Sequence, residues 1–175
     1  MTIHTIGHST RTIDELIDLL NAHRIELLAD IRSFPMSRRL PHFNRENLER
    51  SLAGNQIEYL WMKDLGGRRK RELRDSPNIA LRSEAFRNYA DYMLTGQFQS
   101  AVDRLLQVAA SKRVAIMCAE ALYFRCHRML VSDFLTAHGH EVLHILDKHV
   151  PRPHTLMEEA RIVDGQLLYR GGRLL

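Results

Sequence analysis

The residues best equipped for chemistry in this sequence lie in one run, Cys118-Ala-Glu-Ala-Leu-Tyr-Phe-Arg-Cys-His-Arg128. It brings together two thiols, a carboxylate, an imidazole and guanidinium groups. The run follows Val114 to Cys118, which reads as a strand that is apolar on both faces. It leads into His127 to Ala137, which reads as an amphipathic helix ended by Gly139. Cys126, His127 and Arg128 are therefore expected in the first helical turn. A helix N-terminus presents unpaired N–H groups and about half a positive charge, which attracts anions and lowers a thiol's pKa. Either cysteine would then hold a stabilised thiolate and act as nucleophile or redox thiol, with Glu120 or His127 moving the proton. Cys118, Glu120, Cys126 and His127 are thus the expected catalytic residues. The bland alternative for Cys118 alone is a small buried apolar residue.

Three familiar arrangements do not fit. A tyrosine-phosphatase loop needs Arg six positions after its nucleophile, where this chain has Phe124. A thioredoxin-type pair has two residues between its cysteines, and here there are seven. A zinc ribbon needs a second close Cys/His pair, which the sequence lacks. Cys118, Cys126, His127 and His8 are types that ligate metals, but Arg128 beside His127 argues against a cation there. No metal ligand is assigned, and the sequence identifies no cofactor.

These side chains need a scaffold, and the pattern supplies one. Ile3–Ile6, Leu27–Ile31, Ile57–Trp61, Val114–Cys118 and Glu141–Leu146 read as strands, with amphipathic helical patterns between them. Thr12 and Glu15 form a capping box at the first helix, and Asn44 is expected to cap a later one. Asp164-Gly165 signals a C-terminal hairpin. The alternation predicts a single α/β domain over 1–175: a mainly parallel five-stranded sheet, helices on both faces, and the hairpin. Ligands of such sheets sit beyond the carboxyl ends of the strands. That rule gathers His8 and Ser9, Asp30 and Arg32, Gly66-Gly67-Arg68, and Cys118 to Arg128 at one edge. Strand four is expected beside strand one, and strand two on strand one's other side. The polar stretch 66–83 is expected to be mobile and to close over the pocket. The five histidines from His138 to His154 are read as surface or core residues. Among them His144 stands apart, because it alternates with apolar neighbours.

Composition is that of an ordinary globular chain, 45% apolar and 26% charged. No apolar run approaches the roughly 18 residues of a membrane span, and Met1 to Ile6 lacks the basic start of a secretory signal. A cytoplasmic protein without membrane partners is expected. Charge is uneven: 11 basic against 5 acidic residues from Arg32 to Arg74 leave a local +6, within a net +4 for the chain.

The motifs Thr5-Ile-Gly-His-Ser-Thr10, Asp30-Ile-Arg32 with Pro35 and Ser37, and Leu65-Gly-Gly-Arg-Arg69 come in a characteristic order. Phe86 to Met93, Cys118-Ala-Glu120, Cys126-His-Arg128 and Ala160 to Gly165 follow them. Over nearly its full length the sequence resembles the bacterial and archaeal domain-of-unknown-function 488 family. It departs in having Tyr123 for a usual Pro and Leu81 where Trp is frequent. The resemblance implies an α/β fold and a pocket, and it carries no reaction with it.

The expected function is an enzyme using cysteine chemistry on an anionic small molecule or nucleotide. His8, Ser9, Asp30, Arg32, Arg68 and Arg128 are its expected substrate-binding residues. The alternatives are a nucleic-acid-binding or processing module using Arg68 to Arg74, and a metal-binding regulatory protein. The sequence leaves the oligomeric state open.

Overall fold

The structure is a computed structural model that describes residues 1–171. In chain order its elements are β1 (Thr2–Gly7), α1 (Ile13–Ala22), β2 (Leu27–Asp30), α2 (Arg45–Ala53), β3 (Glu58–Trp61), α3 (Glu84–Met93) and α4 (Gly96–Ala109). There follow β4 (Val114–Cys118), α5 (Arg128–Ala137), β5 (Glu141–His144), β6 (Arg152–Pro153), β7 (Ala160–Val163) and β8 (Gln166–Tyr169). The five expected strands all form and all run parallel, and β6 adds a two-residue antiparallel edge.

The strand order is β3-β2-β4-β1-β5-β6. β4 is indeed beside β1, but β2 is not: β4 stands between the two, with Cys118 paired to Gly7 and Met117 to Asp30. The expectation that β2 flanks β1 is therefore corrected. β4 is buried at every residue, and the centre of the sheet is where such a strand loses no apolar surface to water. Alternation along the strands sorts the core into two layers. Leu28, Ala115 and Met117 pack with Leu16, Leu20, Leu48 and Leu52 of α1 and α2. On the opposite face Ile3, Ala29, Val114 and Ile116 pack with Tyr89, Phe98, Leu105 and Leu130 of α3, α4 and α5.

Local chemistry sets the element ends. The Thr12 hydroxyl accepts from the Glu15 N–H while the Glu15 carboxylate accepts from the Thr12 N–H, so the capping box is present. Asn44 occupies the N-cap of α2, yet its Oδ1 accepts from the Ser37 N–H at 2.6 Å. It braces the 33–40 loop instead of the helix. α5 starts at Arg128, so Cys126 and His127 precede the helix, with His127 at its N-cap. Asp164 and Gly165 both adopt positive φ, 50° and 78°, as a two-residue hairpin turn requires. In the 66–83 stretch the second half is pinned: Ser76 Oγ and Asn78 Nδ2 donate to Asp91 Oδ1, and Leu81 is buried.

A buried polar chain fastens the C-terminal segment. Asp133 on α5 accepts from the Met157 N–H, from His154 Nε2 and from the Tyr169 hydroxyl. A carboxylate only accepts, so His154 carries its proton on Nε2 and its bare Nδ1 accepts from His144 Nε2 at 2.9 Å. His144 Nδ1 in turn accepts from the Thr5 hydroxyl at 2.7 Å. His144 is thus a working core histidine, and His154, read from the sequence as bland, is its partner.

Burial lowers the pKa of His144 to about 3, helped by the facing His154 and by Arg128. Below the ordinary value of 6.5 the unfolded chain takes up a proton that the folded chain refuses. Stability is therefore complete above pH 6.5 and falls as the pH drops from there toward 3. Urea midpoints between pH 7 and pH 4 should decline steadily, and a flat profile would contradict neutral burial of this imidazole.

Candidate active site

At the carboxyl edge of the sheet, where β1, β4 and β2 end side by side, a cleft of about 650 Å³ opens. His8, Arg32, Cys118, Cys126 and His127 form its base. Ser9, Glu120, Arg68 and Phe86 also line it, with Phe34 and Met36 of the loop after β2. Eight of the ten expected site residues thus face one space. Asp30 and Arg128 do not: both are buried beneath it.

Asp30 holds Arg32 rather than a ligand. Its Oδ1 accepts from Arg32 Nε at 2.9 Å, and its Oδ2 accepts from Arg32 Nη2 at 2.5 Å and from the Tyr59 hydroxyl at 2.7 Å. Arg32 Nη2 also reaches the Phe43 carbonyl, and Nη1 donates to His8 Nε2 at 3.3 Å. His8 Nδ1 then donates to the Ser9 carbonyl. Burial, with the Arg32 charge beside it, lowers the His8 pKa to about 4 and keeps the ring neutral. Nothing in the sequence pattern marked Tyr59 as the third member of this group.

Arg128 is spent behind the cleft. Its Nη2 donates to the Glu120 carbonyl and its Nε to Cys126 Sγ at 3.2 Å, while its backbone N–H reaches the same sulfur at 3.4 Å. Expected to hold an anionic substrate, it instead fixes the cysteine loop and donates two hydrogen bonds to one thiol. Gly7 permits this loop to lie where it does, since a Cβ there would stand 1.8 Å from the Glu120 oxygen. Of the three arginines expected to bind an anion, Arg68 alone keeps its guanidinium exposed at the cleft.

The sulfurs and the imidazole converge. Cys118 Sγ, Cys126 Sγ and a ring nitrogen of His127 all lie within 4.8 Å of one another. His127 Nε2 donates to the Ile31 carbonyl at 3.0 Å, which leaves Nδ1 bare and facing Cys118 Sγ at 3.9 Å. The Cys118 sulfur lies beside that of Cys126. The neighbouring Cys118 thiol lowers the Cys126 pKa, and Arg128 acts in the same direction, against burial. The proximity of Cys126, together with burial, raises Cys118. Of the two sulfurs, Cys126 is the one favoured as thiolate.

Gly67 is part of this centre for a reason the sequence did not disclose. A Cβ on it would stand 2.4, 2.7 and 2.9 Å from His127 Nδ1, Cγ and Cε1. Being nearly equidistant from three adjacent ring atoms, the glycine covers the ring's face and not its in-plane lone pair. Phe34 and Met36 were also missed as lining residues. They are 65% and 78% exposed, which no core pattern records.

A family model described as Domain of unknown function DUF488 matches residues 12–135. No curated protein and no solved structure matches the chain.

Removing the Asp30 charge should be costly. Asp30→Asn leaves the buried Arg32 guanidinium without its counter-charge, and such losses run to about 3–5 kcal/mol. Equilibrium urea unfolding should show that decrease. A change below about 1 kcal/mol would place the pair with those of little net worth.

Proposed function

The chain belongs to the DUF488 family, and we propose that it is a cysteine-dependent enzyme acting on a small anionic molecule in the cleft at the carboxyl edge of its sheet. The observation that carries this reading is the Cys126 sulfur, which takes hydrogen bonds from Arg128 N and Nε and lies against the Cys118 thiol. A sulfur with these partners is an anion at neutral pH, and the thiolate is the nucleophilic form. It lines the cleft, so an electrophilic atom of a substrate can reach it. Glu120, exposed at the cleft, is available for proton transfer to the departing group. Arg68, at the rim, is the cation for the substrate's negative charge. Arg32 is neutralised by Asp30 and serves to shape the floor.

A nucleotide is favoured among anionic substrates by the surface beside the cleft. The Phe34 ring is exposed with the Arg68 guanidinium 5.5 Å above it. A second groove shares Ser33, Phe34 and Met36 with the first and contains Trp61, covered by Arg45 at 4.9 Å. Aromatic faces beside free cations suit a base and its phosphate. The basic run and its aromatics are separate in sequence, and folding makes them neighbours.

Iodoacetamide labelling across pH tests the thiolate. Cys126 should label well below pH 8.5, the range of an ordinary thiol, and Cys118→Ala should move its titration upward by removing the neighbouring thiol. Cys126→Ser should abolish the early-labelling site. If both thiols titrate near 8.5, or neither reacts, the thiolate reading fails.

A further inference from the structure

We propose that Cys118, Cys126 and His127 form a three-donor site for a thiophilic divalent cation of the zinc class, with the fourth coordination position open to the cleft. An ion about 2.3 Å from each sulfur and about 2.0 Å from an imidazole nitrogen needs donor atoms about 3.5–3.8 Å apart in a tetrahedron. Cys118 Sγ and His127 Nδ1 are 3.9 Å apart, and all three donors lie within 4.8 Å. Shifts of a few tenths of an ångström up to about 1 Å close the site, within what side-chain torsions supply.

The surroundings match what a ligated centre requires. A ligating histidine donates its other N–H to a carbonyl or carboxylate, which fixes the tautomer. His127 Nε2 does so to the Ile31 carbonyl at 3.0 Å, and its Nδ1 lone pair is left in the ring plane, clear of Gly67 above the face. Arg128 N and Nε already form the outer hydrogen bonds to one ligand sulfur. The sequence-level objection, repulsion from Arg128, does not hold. Its guanidinium points at Cys126 Sγ and the Glu120 and Ala121 carbonyls, where it favours a thiolate. His8 is not a fourth ligand, because Ser9 O and Arg32 occupy its two nitrogens. The three protein donors line the cleft, so a fourth ligand would come from water or substrate, as in catalytic and not closed structural sites.

This proposal rests on the reading of the two cysteines as the working groups of the cleft. Loading exchanges waters of the hydrated ion for two metal–sulfur bonds and one metal–nitrogen bond and releases the thiol protons to solvent. No electron is transferred. With its lone pair engaged, Cys126 is no longer a free nucleophile, so zinc-class ions should silence thiolate chemistry.

The test is titration of the chelator-treated full chain with Co²⁺. A single ion per chain should produce a thiolate-to-cobalt charge-transfer band and the intense visible bands of tetrahedral cobalt. Zn²⁺ should displace it and block iodoacetamide labelling of both cysteines, and a chelator should restore labelling. Cys118→Ser, Cys126→Ser and His127→Gln should each weaken binding by at least about 100-fold, beyond the roughly 10–100-fold that follows loss of an outer partner. His149→Asn, at an exposed histidine outside the cleft, should bind as the parent does. Where a variant does not fold, mass spectrometry of the parent reads directly which thiols zinc shields. Labelling of metal-free Cys126 with no charge-transfer band would overturn the metal site and leave the thiolate enzyme standing. A band with inert metal-free thiols would do the reverse. Spectra of octahedral cobalt, unchanged in Cys118→Ser, would also overturn the site.

Discussion

The buried pair of Asp30 and Arg32 is the interaction on which the carboxyl edge of this sheet depends. Neither charge would be tolerated alone at 0% and 6% exposure. Their mutual attraction offsets desolvation only because the remaining polar atoms are also used: Tyr59 on Asp30, and Phe43 O and His8 on Arg32. Those partners come from β3, from the 3-10 turn Pro41–Phe43 and from the turn after β1. One ion pair therefore sets the relative positions of four chain segments. It also uses up the charge of Arg32, so the cleft floor is closer to neutral than its arginine content suggests.

Arg128 does for the cysteine loop what Asp30 does for the β2 end. The segment from Ala119 to Cys126 contains only one short 3-10 turn, Tyr123–Arg125. Carbonyls at Glu120 and Ala121 are satisfied by the guanidinium, which is 1% exposed. An arginine so enclosed cannot turn to a substrate, but its field reaches the adjacent sulfur. The glycines extend the same logic. Gly7 lets the loop close on β1, and Gly67 lets the loop after β3 close on His127. Chain segments far apart in sequence are thus brought to van der Waals contact around two sulfurs.

The C-terminal polar chain meets this centre through Tyr123. Its ring stacks on His144 at 3.4 Å and 4°. The loop carrying the cysteines therefore rests on the same imidazole that links Thr5, His154 and Asp133. Two polar networks, one around the sulfurs and one around Asp133, share this stack. Their coupling gives the hairpin β7–β8 a structural route to the cleft, although none of its residues lines it.

Much of this protein is legible in its sequence, because periodicity and capping are local. The strands from Ile3, Leu27, Ile57, Val114 and Glu141, the capping box at Thr12 and the turn at Asp164-Gly165 are each decided by neighbours within a few positions. The rule that parallel sheets bind ligands beyond their carboxyl ends then brings eight of ten candidate residues to one cleft. What local pattern does not encode is strand order and side-chain direction. Only the folded chain puts β4 between β1 and β2 and so centres Cys118. Only packing turns Asp30 and Arg128 inward, since a charged residue looks the same in sequence whether it faces a ligand or a buried partner. The tautomer of His127, the closeness of the two sulfurs and that of Gly67 to the imidazole come from contacts made in the folded chain. They exist because separate segments are compressed against one sheet edge, and no spacing rule along the chain contains that geometry.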